Sequence, residues 1–190
     1  MRLSEISKPT LQEAMGLDWT FDLFETLNTK FDDEAWVRHR KGEIGTAILG
    51  DETFQLHLEP ITMPIDGINY RAINVAFAKM VDGKPSQELT LTGKNASKIV
   101  GAITNALLER VELYDYDAVI FIARDNIDAR MTIYNKIAAR RWVQEGLGES
   151  IQNISLGDGA VCTALLSREL ARQKRDVFIE HLMKLKKNGK

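Results

Sequence analysis

The stretch "LTLTGKNASKIVGAITNALLERV", Leu89–Val111, reads as the end of a strand that turns into a buried helix. From Asn95 onward Ala96, Ile99, Val100, Ile103 and Leu107 recur at a period near 3.6, which places them on one apolar stripe. The join between the two elements is "TGKNAS", Thr92–Ser97. Gly93 permits any backbone conformation, Asn95 tolerates the left-handed region, and Ala96 and Ser97 are small enough for another group to approach. A helix N-terminus carries unpaired N–H groups and about half a positive charge, so such a loop can hold a phosphate, with Lys94 and Lys98 adding charge. The same residues also make an ordinary glycine turn with Asn95 or Ser97 as N-cap. Gly93, Lys94, Asn95, Ala96, Ser97 and Lys98 are thus a candidate anion-binding set, and both readings stand.

Downstream, "YDAVIFIAR" (Tyr116–Arg124) is a continuous apolar run rich in β-formers, the mark of an inner strand covered on both faces. A helix over Ile127–Arg140 follows, with Ile127, Met131, Tyr134 and Ala138 on one face. "GAVCTALLSREL" gives a late strand, and the chain ends in an amphipathic helix striped by Phe178, Leu182 and Leu185. Upstream, "EIGTAILGDETFQLHLEPITM" holds Gly50-Asp51 between two β-rich runs, a hairpin signal, and Phe54, Leu56 and Leu58 alternate with Gln55, His57 and Glu59. In "INYRAINVAFAKMV" large Ile73, Val75 and Phe77 alternate with small Ala72, Asn74, Ala76 and Ala78, a second face against which helices can lie close. "VDGKPSQ" reads as a loop, and "KPTLQEAMGL" and "DDEAWVRHR" as helices. The order predicts an α+β fold: a single mixed, mostly antiparallel sheet flanked by helices. A helical N-terminal segment (1–42) precedes a core (43–170) and a basic amphipathic C-terminal helix (171–190).

The 190 residues suffice to bury about 70% of the unfolded surface. No apolar run approaches the roughly 18 residues of a membrane span, and the start lacks the apolar stretch of a signal peptide, so a cytoplasmic protein is expected. A single cysteine, Cys162, excludes an intramolecular disulfide and sits in a strand-like setting. His39, His57 and His181 have no metal-site spacing, so no metal is expected. A net charge of −2 argues against a general nucleic-acid binder. The end is locally basic, with Arg172, Lys174, Arg175, Lys184, Lys186, Lys187 and Lys190 against Asp176 and Glu180. It reads as a solvated helix end, or as a docking element over 168–187 for a protein partner or a second copy.

Three segments in order, "LTGKNASKIVGAI", "AVIFIA" and "RMTIYNKIAAR", resemble the GNAT acyltransferases. More narrowly they resemble bacteriophage-encoded GNAT-like proteins, whose lines read Thr-Gly-x-Gly-x-Ala, then an I-F-x-A strand, then Arg-x-x-x-Tyr. The resemblance covers about residues 43–170 loosely and 89–141 well. It implies acetyl-CoA as cofactor, its pyrophosphate on the loop at 92–98, transfer of the acetyl group to an amine, and Tyr134 protonating the departing thiolate. The chain departs from the pattern at Thr92, Asn95 and Ser97, where Arg, Gly and Gly/Ala are expected. It departs again at Ile127, where an asparagine often precedes the tyrosine by seven positions; Asn126 is one place off. Tyr134 also reads as a core tyrosine, and a general base is sought in Glu59, His57 or water. The alternative is a non-catalytic scaffold serving as a phage virion, assembly or host-interaction protein in the host cytoplasm or virion. Nucleobase modification is a third reading, against which the neutral chain counts.

Overall fold

The structure, a computed structural model, describes residues 36–49, 52–86, 95–124, 126–156 and 159–185. The helices expected over residues 1–35, the Gly50-Asp51 turn, Gly93, Lys94 and the last lysines lie outside the described residues. Strands β1 (Trp36–His39), β2 (Gly42–Leu49), β3 (Glu52–Ile65), β4 (Ile68–Val81) and β5 (Lys84–Ser86) form an antiparallel meander. Helix α1 (Asn95–Tyr114) carries the chain across to β6 (Ala118–Ala123), which lies parallel to β4. Then come α2 (Ile127–Ile133), a π-helical segment (Tyr134–Ala139), α3 (Arg140–Gln144), β7 (Gly148–Ser155), β8 (Val161–Ser167) and α4 (Arg168–Leu185). The sheet order is β1-β2-β3-β4-β6-β8-β7, with β5 beside the end of β4. The result is the expected α+β architecture: one mixed sheet in which only the β4–β6 pair is parallel.

Strand alternation divides the core in two. Phe54, Leu56, Leu58, Ile73, Val75, Phe77, Val119 and Phe121 share one face of the sheet, and the helices α1 and α2 with the π segment and α3 lie on it, contributing Ile103, Leu107, Met131, Tyr134 and Trp142. The opposite face carries Met63, Ile65, Ala72, Ala118, Ile120, Cys162 and Leu166 under Leu170, Phe178 and Leu182 of α4. Strand β6 is buried on both faces, as its unbroken apolar run requires.

Five features differ from the sequence reading, each for a physical reason. Trp36–His39, within the expected helix "DDEAWVRHR", is an edge strand because the chain reverses at Arg40-Lys41 and Gly42. Gly42 has φ +152°, and a Cβ there would stand 2.0 Å from the Leu58 carbonyl oxygen, so only glycine lets β2 pass so close to β3. Most helices cover the Ile73, Val75 and Phe77 face of β4, since burying the larger side chains removes more apolar area from water, while α4 covers the alanine face only at its Ala72 end and Ala76 stays exposed. The π segment breaks the 3.6 period, so the stripe through Met131 and Tyr134 continues at Ala139 and Trp142. Strand β7 has the polar sequence "GESIQNIS" and a bulge between Ile151 and Ile154, which turns both isoleucines inward without strict alternation. Strand β5 occupies part of the expected loop, where only three residues pair.

Helix α4 begins at Arg168 and bends at Lys174 (φ −141°, ψ 19°). Its stripe residues Phe178 and Leu182 are 0% and 3% exposed, so this apolar face is occupied by the chain's own core. Among the described residues no helix is long and apolar enough to cross a membrane.

Candidate functional site

The ladder between the two parallel strands is short. Ala72–Val75 of β4 pair with Ala118–Phe121 of β6, and the strands then part, the far end of β4 pairing instead with β5 from Lys79. Side chains of α2 and the π segment enter the opening. Arg130 Nη1 donates to the carbonyl oxygen of Phe77 at 3.3 Å. The ring of Tyr134 stacks on Phe121 (centroids 4.6 Å apart, 25° between planes) and meets Phe77 edge-on at 5.7 Å. Tyr134 is 1% exposed, and its hydroxyl has no hydrogen-bond partner.

That hydroxyl is an anomaly for packing alone. Leaving a buried hydroxyl unpaired costs about 1–3 kcal/mol, and phenylalanine would fill the same space without that cost. Burial pushes the phenol pKa up, and the neighbouring Arg130 guanidinium opposes this in part. The group is therefore a neutral, protonated phenol at physiological pH.

The position of Tyr134 is fixed by its neighbours. Asn135 receives the Thr163 hydroxyl from β8 and donates its Nδ2 to Asn153 Oδ1 at 2.9 Å, while Trp142 Nε1 donates to the Leu166 carbonyl at 3.1 Å. The π segment is thereby tied to β7 and β8, and the extra residue per turn directs Tyr134 between Phe77 and Phe121.

Helix α1 ends at Tyr114, close to the start of β6, where Asp117 N donates to the Arg71 carbonyl at 2.7 Å. A helix of 20 residues spans about 30 Å, so its N-terminus lies well away from that junction. Asn95, Ala96, Ser97 and Lys98 form the first turn, whose backbone N–H groups have no partner within the helix. Of the expected anion-binding residues, Gly93 and Lys94 lie outside the described residues, and Asn95, Ala96, Ser97 and Lys98 are described as helical backbone.

Glu59 does not join Tyr134. On β3 it pairs with Asn74 of β4, alternates with Leu58, and so faces away from Tyr134, exposed on the rim of an open groove with Arg38–Glu43 and Pro60. His57 shares that face, with Nε2 3.3 Å from Gln55 Oε1; burial first, and the charge of His39 second, lower its pKa. The alternation that puts Glu59 and His57 opposite Leu58 is written in the sequence. Which face the helices cover is not.

Arg130, the arginine of the Arg-x-x-x-Tyr motif to which the sequence reading gave no role of its own, stands beside Tyr134, four residues before it on the helix. Cys162 is buried, with its thiol pushed up to about 12, and acts as an apolar core residue. Among the described residues no three His, Cys, Asp or Glu side chains converge on a metal position. No protein-family profile, curated protein or solved structure matches the chain, so what the site does must be read from its own geometry.

Proposed function

We propose that the protein is a GNAT-like acyltransferase that binds acetyl-CoA where β4 and β6 separate and transfers the acetyl group to an amine. The single observation that carries the reading is the hydroxyl of Tyr134: buried, protonated, unpartnered, and held at the point where the parallel ladder ends. The order strand, loop, helix, parallel strand, helix supports it, since it is the order the resemblance implies.

The bound coenzyme would supply a thioester-activated acyl group. The chain supplies the rest: the first turn of α1 offers N–H groups and a partial positive charge to a pyrophosphate, and the Tyr134 phenol holds a proton where a leaving thiolate needs one. Glu59 and His57 lie on the other face of the sheet, so water removes the proton from the amine in this reading.

Titration calorimetry with acetyl-CoA tests the proposal. The coenzyme should bind, and Ser97→Glu, which puts a carboxylate in the first turn of α1, should abolish binding without lowering the thermal midpoint. Binding that survives Ser97→Glu unchanged refutes the site.

One observation favours a second reading, in which the scaffold is non-catalytic and serves a phage virion, its assembly or a contact with the host. Tyr134 and Arg130 already fill the opening between the strands, and no carboxylate or histidine named from the sequence joins them. A chain that binds no coenzyme and shows no acyl transfer would favour it.

A further inference from the structure

Far from Tyr134, at the end of the sheet where β6 begins, a cavity of about 310 Å³ opens between the strands and the end of α1. Arg38, Arg71, Tyr114 and Tyr116 stand in its wall beside an aliphatic floor that includes Leu58, Ile61 and Ile73, and Glu43 holds Arg38 and Tyr114. Glu43 Oε1 accepts from Arg38 Nε at 3.1 Å and from the Tyr114 hydroxyl at 2.8 Å, while Arg38 Nη2 donates to that same hydroxyl oxygen at 3.1 Å. Arg110, stacked 4.4 Å over the Trp36 ring, stands 3.6 Å from the other Glu43 oxygen. The Glu43 charge is therefore matched twice. Arg38 is held in one orientation, yet its side chain remains 80% exposed.

Arg71 is differently placed. Its guanidinium lies 5.5 Å from the centroid of the Tyr116 ring and, among the described residues, has no carboxylate partner. Stacking on a ring uses the face of the guanidinium and leaves its N–H edge free for a bidentate anion. Tyr114 and Tyr116 meet at 6.0 Å and 60°, giving the cavity two phenol walls. An adjoining groove of about 490 Å³ shares Arg38, Glu43 and Pro60 and continues over the β1–β2 turn, where Arg40 and Lys41 are exposed. Four permanent cations, Arg38, Arg40, Lys41 and Arg71, thus face two carboxylates, Glu43 and Glu59, of which the first is already paired.

We propose that this cavity and groove bind a nucleotide, with its phosphate between Arg38 and Arg71 and its base against Tyr114 and Tyr116. A phosphate with a flat ring is the ligand chemistry that engages the two guanidiniums and the two phenol rings together. A small inorganic anion would leave the phenols unused, an amine would meet net positive charge, and an apolar molecule would strip water from two guanidiniums without replacing it. Base stacking on aromatic side chains beside a cationic track is tolerant of base identity, so the nucleotide is free or part of a single strand. The chain's net charge of −2 does not oppose this, because exposed charges beyond about 8–10 Å are largely screened at physiological salt.

The test uses the full chain with three probes: AMP, inorganic phosphate, and a single-stranded oligodeoxynucleotide of about ten residues. AMP should bind at least roughly tenfold more tightly than phosphate, a difference the stacked base supplies. Arg71→Ala should weaken AMP roughly tenfold or more with an unchanged thermal midpoint, Arg71→Lys should fall between, and Tyr116→Leu should weaken AMP but not phosphate. An oligonucleotide that binds more tightly than AMP, with a steeper salt dependence, identifies a strand as the source, and one that does not identifies the free nucleotide; either supports the site. Ser97→Glu should leave AMP binding intact, which separates this cavity from the coenzyme site at the other end of α1. AMP that does not bind, binds no better than phosphate, ignores Arg71→Ala or is lost on Ser97→Glu overturns the proposal.

Discussion

At one end of the parallel pair β4 and β6 part around an apolar opening that holds one unpaired hydroxyl, Tyr134. At the other end the strands are clamped, with Asp117 accepting the Arg71 N–H at 2.8 Å on its carboxylate while its own N–H reaches the Arg71 carbonyl at 2.7 Å. Beyond that clamp the cavity carries a charged cluster in which Arg38, Glu43 and Tyr114 are paired with one another. The contrast separates two ways of preparing a site. A polar group left unsatisfied in a dry place is held ready for a partner at a cost in stability, whereas cations already oriented by a paired carboxylate are held ready at little cost because water still reaches them.

The largest expected effect is at Tyr134. If its hydroxyl protonates a leaving thiolate, Tyr134→Phe should lower turnover by about 10²–10⁴, the usual loss when general acid catalysis is removed. The fold should respond in the opposite sense. The ring still fills its place between Phe77 and Phe121, and an unpaired hydroxyl has been removed, so the variant should be as stable as the parent or more so, by up to about 1–3 kcal/mol. Acyl-transfer assays and denaturant unfolding read the two effects separately. A Tyr134→Phe protein that is clearly less stable would mean that the hydroxyl has a partner in solution.

Next in size is Gly42→Ala at the polar end. The new Cβ would press on the Leu58 carbonyl oxygen at 2.0 Å from a backbone with φ +152°, costing on the order of 3 kcal/mol in strain and displacement. Because Gly42 carries the turn that brings Arg38 over Glu43, AMP binding should fall with stability. The proposed acyl transfer at the Tyr134 end should persist at temperatures where the variant is folded. Loss of both together would show that the two ends are not independent.

Glu43→Gln is milder. It removes the charge that holds Arg38, Arg110 and the Tyr114 hydroxyl, and hydrogen bonds to a charged group contribute about 1.5–3 kcal/mol. The glutamine still accepts at one oxygen, so a loss of about 1–2 kcal/mol in urea unfolding is expected. Unchanged stability would show that the cluster is held by Arg110 on Trp36 instead.

The two ends also differ in how far the sequence exposes them. The apolar end is written locally: the run "AVIFIA" specifies a doubly covered strand, and Tyr134 stands on a helix stripe shared with Met131. Even there the π segment escapes a 3.6-residue template, because one residue more per turn leaves no mark in composition, and Ala139 and Trp142 take the inward places. The polar end is written nowhere locally. Glu43 meets Tyr114 across 71 positions and Arg71 meets Asp117 across 46, so three chain segments must assemble before the cluster exists. Strand β7 was illegible for a third reason: its bulge cancels the alternation that a strand template seeks.

The smallest expected effect concerns pH and separates the two ends once more. Nothing at the apolar end should titrate near neutrality, since burial raises the pKa of Tyr134 and puts Cys162 at about 12. On the outer face of β3, beside the β1–β2 hairpin, His57 should titrate. Burial first, and the charge of His39 second, lower its pKa from the ordinary 6.5. With the folded value below the unfolded one, the unfolded chain binds more protons in the interval between them, so stability rises with pH there. The contribution is fully present above pH 6.5 and is lost as pH falls through 6.5 toward the folded value. Carboxylates titrate lower in the same direction, so the measurement is a difference: urea midpoints at about pH 7.5 and about pH 5.5 for the parent chain and for His57→Gln. The parent should lose more on acidification than the variant. An equal loss in both would mean that His57 titrates in the folded protein as it does in the unfolded chain, and that its burial carries no electrostatic cost.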